Sequence, residues 1–310
     1  MSTLREAMRS YLDMRQALGF RMYEARLKLP QFVDFMEQRD ASHITVALAL
    51  EWAKQRISVR RAEWARRLRF VRGFARYRSA TDPLTEIPSF GLLPYRPGRA
   101  KPYLYTEAEV EGLLTAALRL SPTAGLRPWT YYCLIGLLAV SGMRIGEAIG
   151  LQVTDVDLDQ GVLTIRSAKF GRWRLLPLHA STIAVLADYM GRRARFLAGR
   201  SAPHLFVSSR GTRLDVSDVH RTFYALSRQT GLREPGASHG PRLHDFRHRF
   251  AALTLLHWYE CGEDTERRLP VLSTYLGHVH VADTYWYLAA WPALMTQAMQ
   301  RLEHRWEDQS

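Results

Sequence analysis

Six side chains carry the chemistry that this sequence offers. In RLHDFRHRFAALTL, His244 and Arg247 stand three residues apart, which on a helix places both on one face. Downstream, YLGHVHVADTYWYL supplies a second imidazole, His278, and two phenols, Tyr285 and Tyr287. Far upstream, SGMRIGEAIGL places Arg144 just after a strongly apolar run, with Glu147 three residues on. An arginine in that position needs a partner, and either Glu147 or a phosphate suits. Lys169 falls in SAKFG, between two stretches that alternate like strands. Two guanidiniums, two imidazoles, a lysine and a phenol suit a phosphate-like anionic transition state and a tyrosine nucleophile. The cysteines, Cys133 and Cys261, form no metal-ligand pair.

The elements that must position these groups read as mostly helix with a small β-sheet. Four helices occupy residues 1–80: one capped by Thr3 and ended by Gly19, one with Pro30 near its early turns, one over Ile44–Trp52, and one over Val59–Tyr77. The fourth carries an apolar stripe of Trp64, Leu68, Val71 and Ala75 amid many arginines. Prolines 83, 88, 94, 97 and 102 interrupt residues 81–102, and such density predicts an extended linker. From 103 to 310 helices resume, with Thr106 as an N-cap. Strands are expected over Gly161–Arg166, Arg172–Pro177 and Leu205–Ser208. Further helices are expected over His179–Leu197, Asp215–Gly231 and Ala293–Trp306.

The 310-residue chain has a formal net charge of +13. Residues 1–102 hold 20 Lys+Arg against 10 Asp+Glu, and the remainder 23 against 20. A basic block of that kind favours a polyanion. Arg60, Arg66, Arg67, Arg69, Arg72 and Arg76 on the fourth helix read as a face that tracks DNA phosphates. Joined by the linker, the two domains would clamp a duplex from two sides. The N-terminus lacks an apolar signal segment, and the apolar run near Tyr131–Val140 is too short to span a bilayer. No membrane association and a cytoplasmic location are expected.

In order and context these motifs resemble the tyrosine recombinases of the phage-integrase type, over nearly the whole chain. The resemblance implies an N-terminal helical core-binding domain (1–80), a linker (81–102) and a mixed α+β catalytic domain (103–310) with a C-terminal exchange helix. SGMRIGEAIGL is similar to the family's first catalytic-arginine motif, giving Arg144. SAKFGRWRLLPL resembles its β-hairpin lysine motif, giving Lys169. LHDFRHRFA gives His244 and Arg247, YLGH gives His278, and Tyr287, nine residues later, takes the nucleophile's place. The stretch between Arg247 and His278 is longer than the pattern, and a surface loop over Glu260–Arg268 is expected to hold the excess. The implied activity is site-specific recombination through a covalent 3′-phosphotyrosyl intermediate, in a mobile element, without metal or cofactor. The implied partners are double-stranded DNA and a homo-tetramer on two duplexes, with related recombinases as a further option.

Two rivals compete. His244 and His248 are spaced as in a zinc hydrolase's HExxH, but Asp245 stands where that motif needs glutamate. A catalytically inactive DNA-binding protein on the same fold is the other, and the full complement of polar residues argues against it.

Overall fold

A computed structural model of the protein describes residues 3–55, 61–93, 102–166, 173–237, 239–278, 280–281, 283–285, 296 and 299. The chain forms two compact units, Met1–Ala100 and Lys101–Ser310.

The first unit is built from α1 (Leu4–Ala17), α2 (Tyr23–Glu37), α3 (Val46–Lys54) and α4 (Arg61–Arg78). Thr3 and Glu6 close a reciprocal capping box at the start of α1, which satisfies two of the amide donors that a helix start leaves open. Leu29, Phe32, Val33 and Met36 of α2 meet Trp52 of α3 and Leu68, Val71 and Phe74 of α4 in one core. Each such side chain stabilises the fold by roughly 1.5–3 kcal/mol through burial. Pro30 lies in the middle of α2, not in its early turns.

The arginines of α4 do not form one face. Arg67 is 2% exposed, with its guanidinium 4.0 Å from the centre of the Trp52 ring. Arg72 donates to the carbonyl oxygens of Pro88 (2.7 Å) and Ser89 (2.8 Å). The burial of Arg67 corrects the expectation that it contacts DNA, and the hydrogen bonds of Arg72 help to hold the unit together. Arg66 is bonded to Glu24, while Arg69 and Arg76 are exposed. Arg60 lies outside the described residues. The start of the expected linker is bound as well, since Glu86 N–H donates to Ile44 O at 2.7 Å and its carboxylate accepts from Val46 N–H. Proline removes donors but leaves carbonyl acceptors, and Arg72 uses one of them.

The second unit contains α5 (Glu107–Leu118), α6 (Arg127–Ser141), the one-turn α7 (Ile145–Ala148), β1 (Val156–Asp157), β2 (Val162–Arg166), β3 (Trp173–Pro177), α8 (Ala180–Leu197), α9 (Val216–Gln229), α10 (Asp245–Glu260) and α11 (Thr265–Leu276). The strands form an antiparallel sheet in the order β1-β2-β3, with Leu163 opposite Leu176 and Ile165 opposite Arg174. Helix α6 is apolar nearly all round, as a central helix must be, and the core surrounds it. The Cys133 thiol on α6 is pushed up to about 12 by burial, which suits a packing role.

Two expectations fail here. Residues 205–208 form no named strand; Val207 makes only an isolated bridge to Arg213, because no neighbouring strand completes a ladder. Residues 260–268 are no inserted loop. Helix α10 runs to Glu260, and Asp264 caps α11 by accepting from Arg267 N–H, so only residues 261–264 lie between the two helices. The expected helix over 293–306 lies outside the described residues, apart from 296 and 299.

Candidate active site

The site forms where three helix ends meet. Helix α6 stops at Gly142, whose φ of 60° is the left-handed conformation that ends helices. A Cβ there would stand 2.6 Å from the Phe250 ring of α10, so glycine also permits close approach. The chain then turns through Met143 into Arg144, the N-cap of α7. Glu147 accepts from the Arg144 backbone N–H and from its Nη1, both at 3.0 Å.

Helix α10 supplies the HxxR pair. Its start is fixed by Asp245, 1% exposed, which takes the Arg242 backbone N–H at 2.8 Å and Nη2 at 2.7 Å. Tyr105 stacks on Phe246 with centroids 4.3 Å apart, and its hydroxyl donates to Arg242 O at 3.0 Å. His244, the N-cap, faces solvent. Arg247, one turn on, is 1% exposed. It donates from Nη1 to Gly142 O (3.0 Å) and from Nη2 to Leu276 O (2.6 Å).

Helix α11 delivers the second histidine. It packs on α10 through Leu255, Leu269, Leu272 and Leu276, and Phe250 stacks on Tyr275 at 5.3 Å. The helix ends on Gly277, with φ 67°, and His278 follows. The Nδ1 of His278 lies 2.8 Å from the Thr284 hydroxyl. The last carbonyls of α11, the negative end of its dipole, receive three guanidiniums: Arg174 Nε on Tyr275 O (2.7 Å), Arg247 on Leu276 O, and Arg144 Nη2 on Gly277 O (3.1 Å).

The electrostatics follow from this crowding. Burial alone would raise the Glu147 carboxyl, but hydrogen bonds from Arg174 and from the Arg144 N–H hold it below its ordinary range. Burial, then Arg247 and Arg144, pushes His278 down to about 4. The protein mass around His244 lowers it too, although its ring reaches solvent, and Arg247 adds to the shift. His248 lies beneath, edge-on to His244 at 4.7 Å, and burial followed by the His244 charge lowers it to about 4. The shifts of His244 and His278 both favour the neutral imidazole, which donates from one ring nitrogen and accepts at the other.

Arg144, His244, Arg247 and His278, predicted from three separate motifs, are brought together. Lys169 and Tyr287 lie outside the described residues. Tyr285 is exposed. Sequence reasoning passed over Arg174, which donates from Nη2 to Glu147 Oε2 at 2.8 Å. A signal existed: strand alternation puts Arg174 on the same face as Leu176, and an inward arginine requires a partner.

The model of the phage integrase family matches residues 104–292. A protein of Sinorhizobium fredii, named as the integrase/recombinase y4rB, is 57% identical over 314 residues, all of both chains. The chain belongs to the phage integrase family. The tyrosine recombinase XerD of Pseudomonas aeruginosa is 33% identical over 226 residues, 72% of this chain and 69% of XerD. The integrase of transposon Tn1549, solved with transposon right-end DNA, shares the fold with a TM-score of 0.67 at 17% identity, across 98% of this chain and 99% of that one. The chain is accordingly a tyrosine recombinase, an enzyme that breaks and rejoins DNA, and its mostly helical fold with a small sheet is that of the family. In this recombinase Arg144, with a side chain 40% exposed, is the guanidinium presented to solvent, while Arg247 lies beneath it.

Proposed function

We propose that this recombinase cuts each DNA strand by attack of the Tyr287 hydroxyl on a backbone phosphorus. The P–O5′ bond breaks as the P–Oη bond forms, leaving a 3′-phosphotyrosyl ester and a 5′-hydroxyl. The observation that carries the reading is the convergence of Arg144, His244, Arg247 and His278 on the end of α11. Arg144 takes the non-bridging oxygens with its planar fork. Arg247 has both terminal nitrogens on carbonyls and adds fixed charge from below. Preorganised donors of this kind supply the largest share of rate. A neutral His244 or His278 accepts the tyrosine proton, and Lys169 donates one to the departing 5′-oxygen. Attack by a 5′-hydroxyl of the partner strand reverses the chemistry and rejoins DNA. Ester replaces ester, so neither a metal nor ATP is needed.

The same reading assigns the helical unit, with exposed Arg69 and Arg76, to the duplex backbone, residues 81–102 to the connection, and 103–310 to catalysis. Exchange between two duplexes cuts four strands, one nucleophile for each, which calls for four protomers, identical or mixed with related recombinases. The Sinorhizobium and Tn1549 relatives favour a mobile element as the setting, acting in the cytoplasm.

The test uses nicked duplexes tiled across the DNA that flanks the gene. The wild type should form a protein–DNA adduct that survives denaturation. Tyr287→Phe should abolish it, because the ester forms on that hydroxyl, and Tyr285→Phe should retain it. An adduct that persists in Tyr287→Phe refutes the nucleophile; no wild-type adduct on any duplex refutes the activity.

A further inference from the structure

Glu147 poses a problem. It is a carboxylate with a side chain 12% exposed, beside the arginine that should meet phosphate. A one-to-one pair would cancel the Arg144 charge and compete with DNA for its N–H donors. Arg174 alters that balance. Its Nη2 and Nη1 lie 2.8 and 3.2 Å from the two Glu147 oxygens, and its Nε holds Tyr275 O at 2.7 Å. Its side chain is 13% exposed, too enclosed to serve as the phosphate contact that Arg144 is.

We propose that Arg174 is a positioning residue for strand cleavage: it occupies Glu147 from behind, so that the carboxylate orients Arg144 without neutralising it, and it fixes the end of α11 that carries His278. This rests on the reading of Arg144 as the phosphate-binding arginine. Arg174 sits on β3, the strand that follows the segment holding Lys169. One guanidinium therefore connects that hairpin, Glu147 and the α11 terminus.

The charge balance separates this role from mere packing. The groups that face Glu147 are Arg144 from α7 and Arg174 from β3, with the carbonyls of Leu276 and Gly277 reached through Arg144 and Arg247. Arg247, His278, Tyr275, Asp283 and His244 are the other titratable groups at that end. Removing Arg174 leaves Arg144 as the sole cation bonded to Glu147 among the described residues. Burial then raises the carboxyl, and acid frees Arg144 by protonating it.

The experiment follows single-turnover adduct formation by the full chain on the nicked flanking duplex at saturating DNA. R174M should cleave about 100-fold slower than wild type, the scale of losing one preorganised donor, with duplex affinity changed by less than about threefold. E147Q/R174M should recover at least about tenfold over R174M, because an amide no longer captures Arg144. Lowering the pH from 7.5 to 5.5 should raise the R174M rate relative to wild type. Wild-type cleavage by R174M, or a double variant no faster than R174M with a pH-independent ratio, overturns the proposal. If R174M does not fold, R174K carries the test: it must cleave at least about tenfold slower than wild type, and adding E147Q must speed it. A wild type that traps no duplex overturns the parent reading and this one with it; a trapping wild type matched by R174M overturns this one alone.

Discussion

Gly277→Ala is the sharpest probe of how the site is built. The residue caps α11 at φ 67°, where an added Cβ would lie 2.8 Å from Arg174 Nη1 and 3.1 Å from its Cζ. Two costs follow. The left-handed conformation costs an alanine roughly 1–2 kcal/mol. The clash pushes Arg174 away from Tyr275 O and Glu147, and loss of a buried charge-assisted hydrogen bond adds about 1.5–3 kcal/mol. Gly262, after α10, isolates the first cost: its φ is 72°, and nothing lies within 4 Å of an added Cβ. Gly262→Ala should therefore lose about 1–2 kcal/mol and keep its cleavage rate. Gly277→Ala should lose about 2.5–5 kcal/mol in all, the sum of both costs, and most of its cleavage. Urea unfolding of each full chain, followed by tryptophan fluorescence, gives the stabilities, and adduct formation gives the rates. Equal destabilisation of the two variants, with cleavage intact in both, would show that Arg174 yields freely and that the α11 end is not a rigid part of the site.

Three further outcomes are expected. Arg67→Ala should destabilise the first unit by about 1–3 kcal/mol, through lost packing and cation–π contact with Trp52, whereas Arg69→Ala/Arg76→Ala should leave stability unchanged and flatten the salt dependence of DNA binding by up to about two units of slope in a titration against salt. Arg247→Lys should cost stability and nearly all cleavage, since an ammonium cannot span Gly142 O and Leu276 O as the planar fork does; near-native unfolding and rate would contradict the geometry. Stability should fall as the pH drops from 6.5 towards 4. His248 and His278 sit near 4 in the fold against about 6.5 unfolded, so in that window the unfolded chain binds protons that the native chain refuses. Buried His248 contributes at most about 3 kcal/mol to this change, and urea midpoints at pH 7.5 and 5 will measure it.

Much of the site was legible because its residues lie in local patterns. Arg144 and Glu147 are three apart on one turn, and His244 and Arg247 three apart at a helix start, so helical geometry alone pairs them. Arg174 acts across 101 residues, on Tyr275, and no local period reveals that. The basic helix was read by composition where position mattered. Arg67 is one turn from both Trp64 and Val71, on the apolar stripe, so its burial followed from the same period that located the core. The proline density of residues 81–102 predicts an extended linker, but it does not reveal that Arg72 takes the carbonyls of Pro88 and Ser89. The loop expected over Glu260–Arg268 is instead a helix end, a tight turn and a capped helix start, all encoded in ECGEDTERR.

The end of α11 also bears on when the enzyme becomes dangerous. Three arginines spread from residue 144 to residue 247 are each anchored on carbonyls of residues 275–277. During synthesis all three emerge before their anchors exist. A nascent, truncated or proteolysed chain that lacks α11 carries the arginines without the template that aims them. The catalytic pocket thus behaves as a conjunction: every distant segment must be folded before any phosphate is gripped. For a protein that breaks and rejoins DNA, that dependence ties the gripping of a phosphate to the completion of folding.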